Sequence, residues 1–507
     1  YAFDSAEKLD ELRKQAEAEG KTFIYNHTVR EQLNNSLALS KEEVDQRIAN
    51  GDAFVVRFKT PTNEILELND IIRGTVKFDT NLLDDKVLYK SDGMPTYHLA
   101  NIVDDHLMET SHVIRGEEWL PSLPLHHLLY KAFQWEAPEF AHLPLILKPV
   151  GNGKLSKRDG DKMGFPVFPL EWKTEESTSM GYREQGYFPE AVVNFLALLG
   201  WNDGTEKELF SLDELVASFD LARVNKSGAK FDPEKNKWFN HQYLITKSDE
   251  ELAVLFAPIV KEKGITTTLD YLTKVIAQVK DRANFVTDLW NLSDYFFVAP
   301  TSYDEKATKK WNEETKELLQ KVIEQLNSYT DFTSVMIENS LKEWMTANEI
   351  GMGKVMQPLR LSLVGELKGP HLFDIIEMIG KEETIKRIGK AIAKKFAEEG
   401  ACVILNDMNA ERLADASAEF IKEFGKDTSA ITTLNVTSQT DIDEAMKVAA
   451  LSFGGVDLIV NNAGLSISKT IEDHTEKDWD LLYDVLVKGQ FMVTQAATKV
   501  MKKQDIG

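Results

Sequence analysis

The chain is 507 residues long, with 43% hydrophobic and 28% charged residues and a formal net charge of -23. One hydrophobic core stops growing near ~250 residues, so this length implies several domains, and no apolar run approaches the ~20 residues that cross a bilayer. The acidic balance excludes indiscriminate nucleic-acid binding but leaves room for a local basic strip, and the single cysteine, Cys402, excludes an internal disulfide framework or a cysteine-cluster zinc site.

The start, Tyr1-Ala2-Phe3-Asp4, has no basic region followed by an apolar stretch, so no secretory signal is expected and the cytoplasm is the expected compartment. The missing initiator Met points to truncation. Asp4 with Glu7 forms a capping box, and Leu9, Leu12 and Ala16 share a helical face until Gly20. Ser40 and Glu43 repeat that device before a helix ending near Gly51. Residues 53–58, 64–68 and 71–78 alternate apolar and polar side chains, which predicts a small antiparallel sheet and makes 1–92 an α+β segment. From Gly93 short apolar strands, Val113-Ile114 and Leu145-Ile146-Leu147, alternate with helical stretches, as in a parallel α/β sheet that can carry a nucleotide site. Helical periodicity dominates 248–388. Beyond Gly389 the rhythm returns to α/β: helix 391–399, strand 403–405, helix 411–424, strand 431–436, helix 442–452 and strand 458–460. No Gly/Ser/Pro linker separates the halves at Ile388-Gly389.

The sharpest local signal is Lys154-Leu155-Ser156-Lys157-Arg158, three cations and a hydroxyl on a loop opened by Gly151-Asn152-Gly153. Mobile ammonium groups stabilise charge that builds on phosphate oxygens in a transition state; the bland alternative is a solvated basic loop. The loop resembles the KMSKS-type loop of class I aminoacyl-tRNA synthetases. Upstream lie Pro95-Thr96-Tyr97-His98-Leu99-Ala100-Asn101-Ile102-Val103-Asp104-Asp105-His106, then Val113-Ile114-Arg115-Gly116-Glu117-Glu118-Trp119, then His142-Leu143-Pro144. Together with the basic loop, in this order and spacing, they are similar to bacterial glutamyl-tRNA synthetases, from residue 1 to about Ile388.

The resemblance implies a glutamate–tRNA ligase that activates glutamate with ATP and transfers it to the 3′ end of tRNA(Glu). Lys154, Ser156, Lys157 and Arg158 would form the catalytic loop, with Lys154 and Lys157 on the phosphates. Arg115 would grip the side-chain carboxylate of glutamate bidentately, and Tyr97 and Asn101 would line the same pocket. Glu118 and Trp119 would lie near the nucleotide or the tRNA end, although core packing is the common fate of aromatics such as Tyr97 and Trp119. Arg360 resembles a position that reads an anticodon base; a surface ion pair is the bland alternative. Mg²⁺ is implied by the reaction, held mainly by phosphates and water, and no metal-ligand set surrounds Asp104 and Asp105, which read as structural or capping. His98 and His106 read as structural. The implied layout is an acceptor-binding insertion at 1–92, the second half of the catalytic domain at 93–165, a stem-contact region at 166–247 and a helical anticodon-binding region at 248–388. The family's HIGH-type tetrapeptide, expected before the insertion, does not occur in this chain, so only about half of the nucleotide site is supplied. The resemblance implies a monomer and does not distinguish tRNA(Glu) from tRNA(Gln).

At the other end, Asn461-Asn462-Ala463-Gly464 follows an apolar stretch and resembles the NNAG motif of short-chain dehydrogenases, and Asp407 stands where an acid would bond the adenosine ribose of NAD. This resemblance covers 389–507 and implies a partial Rossmann unit. Its glycine-rich loop is represented only by Ile388-Gly389, with Arg387 in place of the preceding glycine, and the first strand is missing. Leu486 stands in place of a relay Asn, and neither the catalytic Ser nor Tyr-x-x-x-Lys appears, so the NAD site is read as vestigial and NAD binding is not expected. The lost strand is central in the order 3-2-1-4-5-6, which predicts exposed edges and poor folding. Recombination or misassembly at 387–389 fits this junction better than an evolved bifunctional enzyme. Two alternatives stay open on sequence: an NAD-dependent oxidoreductase, or a non-catalytic tRNA-binding remnant.

Overall fold

The computed structural model describes every residue except 176, 466, 468 and 505–507. It divides into two compact units, Tyr1–Tyr243 and Leu244–Gly507. Among the described residues no helix is long and apolar enough to cross a membrane.

The first unit opens with the helix Ala6–Ala18, and its cap is Ser5, not Asp4: the Ser5 hydroxyl accepts the Lys8 amide at 3.2 Å. Asp4 is drawn away by longer-range partners, the Asn34 amide at 3.0 Å and the Tyr25 hydroxyl at 3.3 Å, which tie the chain start to the following loop. Ser40 caps Lys41–Ala49, but only this half of the expected box forms, because the Glu43 carboxylate pairs with Arg47. The strands Ile65–Asp70 and Gly74–Asp79 form an antiparallel hairpin. The second begins later than the alternation implies because the Asp70 carboxylate accepts the Ile72 and Arg73 amides and closes a turn.

Behind the hairpin lies the parallel pair His112–Gly116 and Glu139–Leu143, crossed over by the helix Leu123–Phe133, with Tyr97–Leu107 packed beside it. Leu66, Leu68, Ile102, Val113, Leu128, Leu129 and Phe140 join these layers in one core. A second short parallel pair, Ile146–Leu147 with Ala229–Lys230, leads into the basic loop. One buried contact sets the register of the sheet against the hairpin: Asp70 Oδ2 lies 2.6 Å from His142 Nδ1, and Asp70 also accepts the His142 amide. Burial pushes the Asp70 carboxyl up, but the bonds from His142 and Arg73 outweigh it and leave the group below its ordinary value.

In the second unit seven helices, Asp249–Glu262, Leu269–Val279, Glu313–Ser328, Ser334–Ala347, Met352–Val364, Leu372–Ile379 and Lys381–Glu398, account for most of the helical part. The last runs without a break through 388–389. Ile385, Ile388, Ala391 and Ile392 bury one face of it in the helical core, while Lys390 and Lys394 pair with Glu419, and Lys394 with Glu423, on the helix Ala410–Phe424. After it come two parallel strands, Val403–Asp407 and Ser429–Thr433, and the helix Gln439–Phe453.

The strand expected at 458–460 does not form among the described residues. In the order 3-2-1-4 its only neighbour on that side is the first strand, which this chain replaces with continuous helix, so its amides have nothing to pair with. For the same reason Val403–Asp407 pairs on one side alone. Arg387 is 2% exposed. It donates to the carbonyls of Tyr295 and Leu363 and, at 2.9 Å, to the Glu383 carboxylate. Arg387→Ala strips these acceptors of their donor inside the core and is expected to destabilise the second unit by about 3 kcal/mol, read as a lower urea midpoint at unchanged slope.

Candidate functional site

The helix Tyr97–Leu107 places Tyr97 and Asn101 four residues apart on one face, and the strand His112–Gly116 delivers Arg115 to the same place. The tight turn Glu117–Ser122 that follows Gly116 then carries Glu118 and Trp119. Tyr97 is 51% exposed, which excludes core packing as its role, and its ring lies 4.9 Å from that of Trp119. The Arg115 guanidinium sits 6.0 Å above the Trp119 ring, and its Nη2 donates to Asn101 Oδ1 at 3.3 Å. Nη2 also faces His126 Nδ1 at 3.4 Å. Nη1 is buried and has no hydrogen-bond partner, and Arg115 has no ion-paired carboxylate among the described residues. A half-buried cation held by neutral acceptors, with one donor unused, is suited to an incoming anion.

His126 is 1% exposed, and burial, then the Arg115 charge, pushes its pKa down to about 3. His98 Nδ1 lies 3.0 Å from His126 Nε2. His106 stacks on Trp135 at 4.0 Å. Sequence reasoning did not single out His126: it has no motif spacing to Arg115, and only the crossover helix brings them together.

Gly151 and Gly153 adopt positive φ, 81° and 104°, which lets the basic loop turn back so that Lys154 bridges to Leu147. Lys154 Nζ pairs with Glu118, so the turn that carries Trp119 and the basic loop are brought together. Ser156 is committed to the start of the helix Lys157–Met163: its amide donates to Asp159 Oδ2 at 2.8 Å and its hydroxyl bonds the same oxygen. Lys157 Nζ lies 4.8 Å above the Phe168 ring, and Arg158 is exposed with no ion pair among the described residues.

Arg360, in the second unit, donates Nη2 to the Pro370 carbonyl at 2.8 Å, which excludes the plain surface ion pair. Its Nη1 and the Tyr295 hydroxyl are buried near Gly369, without hydrogen-bond partners among the described residues. The residues of the expected dinucleotide motif contact different neighbours. Gly389 lies mid-helix against the Asn462 amide, Asn461 donates to Thr494 at 3.1 Å, and Ala463 leads to Gly464 against Asn327 of the helix Glu313–Ser328. Asp407 accepts the Asn409 amide at 2.8 Å ahead of the next helix.

Three sequence families match the chain: tRNA synthetases class I (E and Q), catalytic domain, over 1–238; anticodon binding domain over 251–392; and short chain dehydrogenase over 384–507. A glutamate–tRNA ligase of Flavobacterium psychrophilum is 74% identical over 393 residues, 78% of this chain and 78% of the relative. The chain belongs to the glutamate–tRNA ligase family. The corresponding enzyme of Flavobacterium johnsoniae is 72% identical over the same share of each. A solved glutamate tRNA ligase from Elizabethkingia meningosepticum, in complex with its amino acid, superposes with a TM-score of 0.75 at 54% identity, covering 77% of this chain and 78% of that one. The family uses ATP, with glutamate and tRNA(Glu) as its other substrates. The ligase part and the dehydrogenase part overlap at 384–392, inside the Lys381–Glu398 helix.

The basic loop of this family member is anchored by Asp159, whose pKa is depressed to about 2 by Ser156 and then Lys148. A carboxylate depressed in the folded state adds stability above its unfolded value of ~4 and loses it as pH falls toward 2. The difference in urea midpoint between the parent and Asp159→Asn is therefore expected in full at pH 6 and to shrink steadily below about pH 4.

Proposed function

We propose that this chain acts as a glutamate–tRNA ligase, joining glutamate to ATP as glutamyl-adenylate and passing it to the 3′ end of tRNA(Glu). The observation that carries the reading is Arg115: a cation with a buried Nη1 donor that has no hydrogen-bond partner, and no ion-paired carboxylate, among the described residues. The side-chain carboxylate of glutamate supplies the missing charge, with Asn101 holding the guanidinium and the Tyr97 and Trp119 rings walling the pocket. Lys154 and Lys157 receive the charge that builds on the α-phosphate, and the exposed Glu118–Lys154 pair exchanges for phosphate at little cost. Ser156 starts the helix behind them and sets their position, and Arg158 adds a third cation. Glu118 and Trp119 then face the nucleotide or the tRNA end.

Mg²⁺ enters with ATP, bound by phosphates and water; among the described residues no group of three or more His, Cys, Asp or Glu could hold a metal. In the second unit Arg360 Nη1 and the Tyr295 hydroxyl are unused polar groups suited to an unpaired anticodon base. We divide the chain, as its sequence suggests, into an acceptor-binding insertion at 1–92, a catalytic half-domain at 93–165, a stem contact at 166–247, anticodon binding at 248–388 and a truncated dehydrogenase unit at 389–507. The chain acts as a cytoplasmic monomer.

NAD is not a ligand of this chain in our reading. A dinucleotide pyrophosphate sits on open amides at a helix N-terminus, and here that helix starts at Lys381, so the amides around Gly389 are bonded inside it. Titration of the chain with NAD, followed by fluorescence, is expected to show no saturable binding; a saturable signal would revive an oxidoreductase role.

The ligase reading is tested by charging glutamate-accepting tRNA with labelled glutamate and ATP. Arg115→Ala is expected to lower kcat/KM for glutamate by about 100-fold or more. Binding of tRNA without charging by the parent chain would reduce the function to tRNA binding.

A further inference from the structure

We propose that His126 is a positioning residue that holds the Arg115 guanidinium as a neutral hydrogen-bond acceptor, leaving it without an ion pair and open to the substrate. This rests on the reading of Arg115 as the carboxylate-binding group. A guanidinium carries donors alone, so the ring nitrogen facing it, Nδ1 at 3.4 Å, must present its lone pair. A neutral imidazole has one N–H, which therefore sits on Nε2 and donates to His98 Nδ1 at 3.0 Å. Arg115 thus fixes the tautomer of His126 and through it that of His98, and His126 fixes the orientation of Arg115 Nη2 together with Asn101.

The ring is 1% exposed on the crossover helix, so it has no room to turn and does not touch the open pocket. Its neutrality agrees with the strongly depressed pKa that burial and Arg115 give it. The chemical point is the choice of acceptor. A carboxylate at this place would orient Arg115 as well, but it would neutralise the guanidinium and compete with the carboxylate of glutamate. An amide and an imidazole orient without competing. The two neutral acceptors thereby favour an anionic side chain over an isosteric amide, glutamate over glutamine.

The test compares three substitutions in the full chain by calorimetric titration with glutamate and with glutamine, beside Arg115→Ala. His126→Asn keeps a neutral acceptor and is expected to bind glutamate within about threefold of the parent. His126→Leu removes the acceptor and is expected to weaken glutamate about tenfold or more. His126→Asp is isosteric with the Asn variant but charged; it is expected to weaken glutamate about 100-fold and to erase the preference over glutamine. Circular dichroism and urea midpoints separate these effects from loss of fold.

Equal weakening by the Asn and Asp variants, or parent-like affinity in His126→Leu, would overturn the proposal. Parent-like affinity in Arg115→Ala would instead sink the glutamate reading itself. A crystal structure of His126→Leu decides the positioning role even without binding. Displacement of the guanidinium by more than about 1 Å supports it, and an unmoved guanidinium refutes it.

Discussion

Arg115 is a positive charge brought into a half-buried site with no ion-paired carboxylate among the described residues, Asp105 acting on it only at longer range, and much of the first unit can be read as what makes that tenable. Removing a cation from water is costly unless polar groups replace the water, and here the replacements are Asn101, the His126 ring and the face of Trp119. Each comes from a different element: a helix, the crossover helix and the turn after the strand. The geometry holds only while those elements keep their register. Arg115 pairs in register with His142 on the neighbouring strand, and His142 is bonded to Asp70 at the end of the hairpin. A buried Asp–His contact thus fixes, two strands away, where the guanidinium points.

The basic loop shows the opposite physics. Its cations are exposed, Lys154 is held by an exposed carboxylate, and its backbone turns through two glycines with positive φ. Exposed ion pairs are weak and exchangeable. The base of the loop is bonded more extensively, where Ser156, Asp159 and Lys148 tie the start of the following helix.

The second unit is organised by a helix that belongs to two families at once. Its first half buries Ile385 and Ile388 among the anticodon-type helices, and its second half presents Lys390 and Lys394 to the dehydrogenase-type helix. Arg387, which stands where a phosphate-binding loop needs glycine, is instead bonded to two carbonyls of the helical bundle. The same residues cannot be a continuous helix and an open helix N-terminus. The packing therefore explains why the dehydrogenase motif survives as sequence while the strand at 458–460 and the pyrophosphate cradle do not survive as structure.

Local chemistry made a good part of this protein legible in its sequence. Period and capping residues marked the helices, alternation marked the hairpin, and the order of the Tyr97, Arg115 and Lys154 motifs marked the ligase family, because these depend on neighbours within a few residues. The cap at Ser5 was misassigned to Asp4, since a carboxylate bonded to Asn34 and Tyr25 has no local signature. His126 carried no signal, being 11 positions from Arg115 with no helical or strand period linking them. The tertiary structure alone decided which side chains share the Arg115 site and that one donor of its guanidinium is left unused. It alone decided that a strand with no partner stays unformed. Periodicity reports which face of an element is buried, but hydrogen-bond partners distant in sequence are chosen only when the elements pack.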